Sequence, residues 1–424
     1  MKVVHIVPGS GGTFYCQNCM RDGALVQALR RAGVDTVMVP MYLPMFTDGD
    51  PVQDDTPVFF GGINVWLQQQ FPFFRKTPGW LDRLFDARWM LRRAAKMEGT
   101  TSASDLGAMT LSMLEGTEGN QRKEVERLVD WLAEHERPDV VHISNALLIG
   151  LAAEIKARLD VPVVCSLQDE DWWLDEINPP YDEECWDAIR ARTGDVDRFA
   201  AVSNWFADCM SERLMIPRDL IDVVHAGIDL NGFDQASLDF DPPVLGYLSR
   251  MNTVLGIDRL VDAFIELRTF RGLENLKLMA TGGAVGDDLK CIEAQKKKLA
   301  KAGLESDAEF VEDFTREQRL AFLKTISVMC VPVEQGEAFG TYIIEAMAAG
   351  VPVVQPNAGA FPELIEATGG GLIYGDLVGT LREVLTNSDL ARRLGHQGRA
   401  AVMADFGVDT MAQNMISIYK ELIT

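Results

Sequence analysis

Glu337 and Glu345 stand with seven residues between them in the run Ser327–Gly359, SVMCVPVEQGEAFGTYIIEAMAAGVPVVQPNAG. An ionised carboxylate only accepts hydrogen bonds, and each can take two hydroxyl donors, which suits a ribose or a hexose. Between them, the amides of Ala338, Phe339, Gly340 and Thr341 fall at the start of an expected helix. Unpaired N–H groups there suit a phosphate or a sugar hydroxyl. Near the other end, Gly9, Gly11 and Gly12 follow an apolar run and let backbone approach a ligand at the next helix start. Phe14 stands where the dinucleotide fingerprint needs its third glycine, so a nicotinamide enzyme is set aside. Cys16-Gln17-Asn18-Cys19 is half of a tetrahedral zinc site, and no second pair with metal spacing accompanies it. A cysteine at a helix start can have a lowered pKa, which leaves redox chemistry open. The simpler reading is a structured loop with Asn18 as helix cap.

These groups need a scaffold, and the apolar runs supply one. Val328–Val333 reads as a buried strand, Thr341–Ala349 as a helix stopped by Gly350 and Pro352, and Val351–Val354 as the next strand. That βαβ unit puts its loop at the carboxyl end of a strand, where parallel sheets bind ligands. Val3–Val7, Thr36–Pro40, Pro138–His142 and Val161–Leu167 read as strands of a first sheet, with a helix over Cys19–Ala32. Val244–Leu248, Leu276–Ala280 and Phe310–Phe314 read as strands of a second, and Thr410–Leu422 as a final helix. The expected class is α/β. Asp239–Pro243 is the expected hinge, dividing residues 1–238 from 239–405, with the C-terminal helix over 406–424.

Composition narrows the function. The net charge of −23 is spread over both halves, which argues against a nucleic-acid partner. No run approaches the length of a membrane span. MKVVHIVPGSGG reads as a strand and loop, not a signal peptide, so cytoplasmic residence is the default. Seven cysteines, dispersed apart from one C-x2-C, fit free thiols better than a disulfide framework. Residues 71–96 form the one basic island, seven Lys/Arg against two Asp, interleaved with Trp80, Phe85 and Trp89. An expected helix from about Trp80 to Lys96 either packs on the core with a solvated basic face or lies peripherally on an anionic membrane. Asp169–Asp187 holds nine Asp/Glu and no Lys or Arg, mixed with Trp172, Trp173, Tyr181 and Trp186. It reads equally as a carbohydrate-binding surface and as a solvated loop.

The string E-A-F-G-T-Y-I-I-E-A-M-A-A-G-V-P-V-V resembles the Glu-x7-Glu motif of retaining glycosyltransferases of the family 4 type. F-Y-C-x-x-C-x-R-D and G-G-I-N-V-W-L-Q-Q, at Gly61–Gln69, resemble a little-described bacterial branch of it. The resemblance implies the GT-B fold, two Rossmann-like domains facing across a cleft, the first for the acceptor and the second for a nucleotide-sugar donor. It implies that Glu345 binds the nucleotide ribose, Glu337 the transferred sugar, and the Phe339 and Gly340 amides lie near the donor. It further implies that Gly11 and Gly12 face the donor phosphate, that Gly282 and Gly283 form the glycine turn facing the nucleotide, and that Arg250 holds the diphosphate. The donor it implies is UDP- or GDP-linked, with no cofactor and no required metal; the acceptor, a small molecule, glycan or lipid, is left open.

Three departures stand out. Leu255 occupies the position of a lysine that shares the diphosphate with the arginine, Ser144 replaces one histidine near His142, and Gln168 replaces another. Gln168 can hydrogen-bond a sugar hydroxyl but cannot take a proton. A sugar-nucleotide-binding protein with impaired catalysis is therefore an alternative, and another GT-B enzyme such as a sugar-nucleotide epimerase is a further one.

Overall fold

The computed structural model describes residues 1–9, 15–42, 46–47, 50–51, 69, 106–238 and 240–424. The chain divides into two compact units, one of Met1–Gly12, Asn18–His225 and Met411–Thr424, the other of Thr13–Gln17 and Ala226–Thr410.

The first unit is built on six parallel strands: β1 (Lys2–Val7), β2 (Asp35–Pro40), β3 (Val140–Ile143), β4 (Val163–Leu167), β5 (Arg198–Ala201) and β6 (Ile221–Val223). Their order is β2-β1-β3-β4-β5-β6. Near-continuous apolar strands such as Val140–Ile143 are what a sheet covered on both faces demands, and all four of those residues are buried. Helix α1 (Gln17–Arg31) follows β1 and buries Leu25, Val26, Ala28 and Leu29. Short helix α2 (Glu170–Asp175) follows β4.

The second unit has β7 (Val244–Leu248), α3 (Ile257–Leu267), β8 (Lys277–Thr281), α4 (Asp288–Lys301), β9 (Ala308–Val311), α5 (Arg316–Thr325), β10 (Val328–Met329), α6 (Thr341–Ala348), β11 (Val353–Pro356) and β12 (Gly371–Tyr374). Its sheet is parallel with order β9-β8-β7-β10-β11-β12. In strand sequence that is 3-2-1-4-5-6, the doubly wound order, and its switch point lies between β7 and β10. The strand expected over Val328–Val333 pairs only at Val328 and Met329, with the Cys330 amide still donating to the Gly246 carbonyl. Pro332 has no N–H to continue the ladder, so the chain leaves the sheet there and becomes loop. Every residue of α6 is buried. Its end is a Schellman closure at Gly350, φ +74°: the Gly350 amide donates to Met347 O and the Val351 amide to Ala346 O. The last helix, α7 (Val408–Ile423), belongs to the first unit from Met411 onward. No helix among the described residues is long and apolar enough to cross a membrane.

Candidate functional site

Three loops converge at the carboxyl ends of β7, β8 and β10, and the two glutamates sit in and after the last of them. Glu337 precedes α6 and Glu345 lies one turn inside it; both are nearly buried, at 6% and 4% exposure. Glu337 accepts from the Tyr342 hydroxyl at Oε2 and from Gln17 Nε2 at Oε1, the latter at 3.1 Å. Glu345 accepts from the Tyr15 hydroxyl at Oε2, 2.8 Å, and its Oε1 lies 3.4 Å from Arg319 Nε on α5. Burial, and then the nearby carboxylate, push the Tyr15 and Tyr342 phenols well above their ordinary range, so both remain O–H donors. The Thr341 amide at the start of α6 donates to Gln17 Oε1. Gly340, φ +92°, turns the chain into the helix, and a Cβ there would stand 3.0 Å from Ile343 Cδ1 and 3.1 Å from Phe361.

The Gly282-Gly283 turn follows β8. The Ser249 amide donates to Thr281 O and the Met251 amide to Gly283 O, both 3.1 Å, which locks the β7 loop to the turn. A Cβ on Gly282, φ +132°, would meet Ser249 O at 2.1 Å, so only glycine allows this approach. Arg250 leaves that loop with its guanidinium bidentate on Asp288 of α4, Nε to Oδ2 at 2.7 Å and Nη2 to Oδ1 at 3.3 Å. Asp288 also accepts from the Val285 amide at 2.9 Å. Leu255 precedes α3, its amide held by Asn252 Oδ1 at 2.8 Å. Glu337, Glu345, Phe339, Gly340, Gly282, Gly283 and Arg250 thus all lie in one unit. Gly11 and Gly12 lie outside the described residues, as do 71–96 and Gly61–Leu67.

Gln168 follows β4 in the first unit and is 2% exposed. Its Nε2 donates to Ser144 O at 2.6 Å and its Oε1 accepts from Arg21 at 3.1 Å, so its amide is held by its own neighbours. His142 joins β3 to α7 and β4: Nδ1 meets the Tyr419 hydroxyl at 2.7 Å and Nε2 the Ser166 hydroxyl at 2.8 Å. Burial, with His5 and Arg21 beside it, lowers its pKa well below the usual imidazole value. A neutral ring, with one donor and one acceptor nitrogen, suits the two hydroxyls. Glu170 accepts the Ala146 and Gln168 amides at 2.9 and 2.7 Å, yet burial pushes its carboxyl up to about 8.

Three expectations need correcting. Asn18 does not cap α1; it lies inside the first turn and donates to the Gln168 carbonyl at 3.2 Å. Cys16 and Cys19 are disulfide-bonded, while Cys165, Cys185, Cys209, Cys291 and Cys330 are free. Adjacency in one helical turn, not a framework, accounts for that one bridge. In the acidic-aromatic stretch Trp186 is not a stacking face: it is buried, Arg213 lies 3.9 Å over its ring, and its Nε1 donates to Asp175.

Tyr15, Gln17, Arg319 and Asp288 escaped sequence reading. Tyr15 meets Glu345 across 330 positions and Gln17 meets Glu337 across 320, a distance over which no local spacing carries information. Only Tyr342, inside the motif run and one turn before Glu345 on α6, had a signal.

Comparison with known proteins agrees with this geometry. Residues 232–401 match the family model described as Glycosyl transferases group 1, and residues 114–231 that of Glycosyltransferase Family 4. A D-inositol 3-phosphate glycosyltransferase of Mycolicibacterium smegmatis is 29% identical over 182 residues, 41% of this chain and 42% of that protein. The chain therefore spans under half the length of that relative. The crystal structure of Anabaena HepE in complex with UDP superposes with a TM-score of 0.66 at 16% identity, covering 100% of both chains. The sucrose-phosphate synthase of Thermosynechococcus elongatus gives 0.70 at 18% identity, covering 100% of this chain and 99% of that one. Two adjoining segments of the chain thus match glycosyltransferase family models, and the fold is GT-B, two Rossmann-like units.

Proposed function

We propose that this protein transfers a sugar from a nucleoside-diphosphate sugar to an acceptor hydroxyl, with retention of anomeric configuration. The observation that carries the reading is the corner at the switch point of the second sheet. There two nearly buried carboxylates flank the N-terminus of α6, and a glycine turn and Arg250 stand on the neighbouring strand ends. Carboxylates pair with ribose and hexose hydroxyls, amides and a guanidinium with a diphosphate. Glu345 takes the ribose, Glu337 the transferred sugar, and the Phe339 and Gly340 amides lie along the donor. Arg250 stabilises the charge that grows on the leaving diphosphate. Asp288 orients Arg250 through two of its nitrogens. HepE, of the same fold, is a protein solved with UDP, which supports a uridine donor; UDP- and GDP-sugars are the first to test.

The decisive experiment incubates the purified chain with UDP-, GDP- and ADP-sugars and follows free nucleotide, with the anomer of any product read by NMR. Release of a nucleoside diphosphate and a retained anomer is the expected result; no release with any donor refutes the enzyme reading. A second reading, a binder with impaired turnover, has its own support: Leu255 brings no charge, and Arg250 shares its charge with Asp288. Thermal stabilisation by nucleotide without turnover would favour it.

A further inference from the structure

The polar groups assigned to the donor already have partners from the chain's own segment Tyr15–Gln17. The Tyr15 hydroxyl donates to Glu345 Oε2 at 2.8 Å. Gln17 donates Nε2 to Glu337 Oε1 at 3.1 Å and accepts the Thr341 N–H on Oε1. The Tyr15 amide donates to Gly282 O at 3.0 Å, pinning the segment to the glycine turn. Arg319, which faces Glu345, lies 5.5 Å from the Tyr15 ring centre. Two residues, Tyr15 and Gln17, therefore engage both carboxylates, the helix start and the turn at once. The pairing is the one a sugar makes. A hydroxyl gives one hydrogen bond to a carboxylate and accepts one from an N–H; the Gln17 amide does both, and the Tyr15 O–H does the first. Tyr15 is 3% exposed and seals Glu345 beneath it.

We propose that Tyr15 and Gln17 are a built-in occupant of the donor corner, Tyr15 standing in for a ribose hydroxyl and Gln17 for a hydroxyl of the transferred sugar, so that the nucleotide-sugar must displace both to bind. This rests on the donor reading above. This occupancy keeps the two carboxylates partnered in the empty protein, where a buried unpaired charge is strongly unfavourable. It also makes donor affinity a competition, weaker than the corner alone would give.

The test is calorimetric titration of the full chain with UDP and with UDP-glucose, in the native protein and in Y15F and Q17A, with GDP-mannose titrated as the alternative donor. Y15F keeps the ring and removes the competing hydroxyl, so both ligands bind more tightly, by about tenfold. Q17A tightens UDP-glucose by a similar factor and leaves UDP within about twofold, because only the sugar reaches Glu337. Unchanged or weaker UDP-glucose binding in either variant overturns the proposal and makes the residue a support of its carboxylate. Hydrogen exchange in the native protein gives an answer independent of the variants' folding. Added UDP-glucose should speed exchange at the Tyr15 amide as it leaves Gly282 O; slower exchange overturns displacement. If native protein and variants bind neither UDP-glucose nor GDP-mannose, the donor reading itself fails, and the proposal with it.

Discussion

At the scale of single residues, each carboxylate of the corner has a separable task. E345Q should weaken UDP by roughly 10- to 100-fold, since one charge-assisted hydrogen bond is worth about 1.5–3 kcal/mol. E337Q should leave UDP affinity near that of the native chain and lower kcat/KM for the sugar donor by a similar factor. Titration calorimetry and steady-state rates distinguish the two, and equal effects on UDP would refute the division of labour. Glu170 makes a different prediction. Its carboxyl is raised to about 8 by burial, so the folded state binds a proton that the unfolded state releases above about 4.5. Between those values the folded state holds more protons, and stability falls as pH rises; the stabilisation is full below about 4.5 and gone above about 8. Glu170→Gln should flatten that slope, up to about 5 kcal/mol across the window, as read from Tm against pH for both proteins. The corner carboxylates were legible because a motif announces them within one short run. Glu170 was not, because its shift arises from the packing of α2 against the β3 and β4 ends.

At the scale of elements, the loops are held by backbone geometry that tolerates no side chain. Gly282 is the sharpest case, with φ +132° and Ser249 O at 2.1 Å from any Cβ. G282A should push the β7 and β8 loops apart, lose at least 1–2 kcal/mol of stability by the left-handed strain alone, and abolish UDP binding. Differential scanning fluorimetry with and without UDP reads both effects; a G282A protein still stabilised by UDP would show that the turn does not face the nucleotide. The strand, loop and helix order was read correctly from apolar runs and from Gly350. The end of β10 was not: an apolar run continues to Val333, but Pro332 withholds the N–H a ladder needs, and apolarity alone does not reveal pairing.

At the scale of the whole molecule, the last helix closes the first unit. Met411–Thr424 belongs to that unit, with Met411, Ala412, Met415 and Tyr419 buried. Tyr419 bonds His142 at 2.7 Å in the sheet. Y419F leaves a buried imidazole nitrogen unpaired and should cost about 1–3 kcal/mol, seen as a lower Tm. Deleting Met411–Thr424 should leave the first unit unable to fold, as circular dichroism and gel filtration would report; a folded, monodisperse truncation would refute the role. With 63 Asp+Glu against 40 Lys+Arg, the chain should also show no affinity for nucleic acid at physiological salt.

The sequence alone determined the α/β class, both parallel sheets in outline, and the glutamate corner, because apolar periodicity and a helix start flanked by acids are local patterns. The tertiary structure decided what those acids touch. Tyr15, Gln17, Arg319 and Asp288 reach the corner or its arginine across 330 and 320 positions for the first pair and 26 and 38 for the second. Arg319 and Asp288 meet their partners because β7, β8 and β10 end side by side, and that adjacency is a property of the sheet order, not of any stretch of residues.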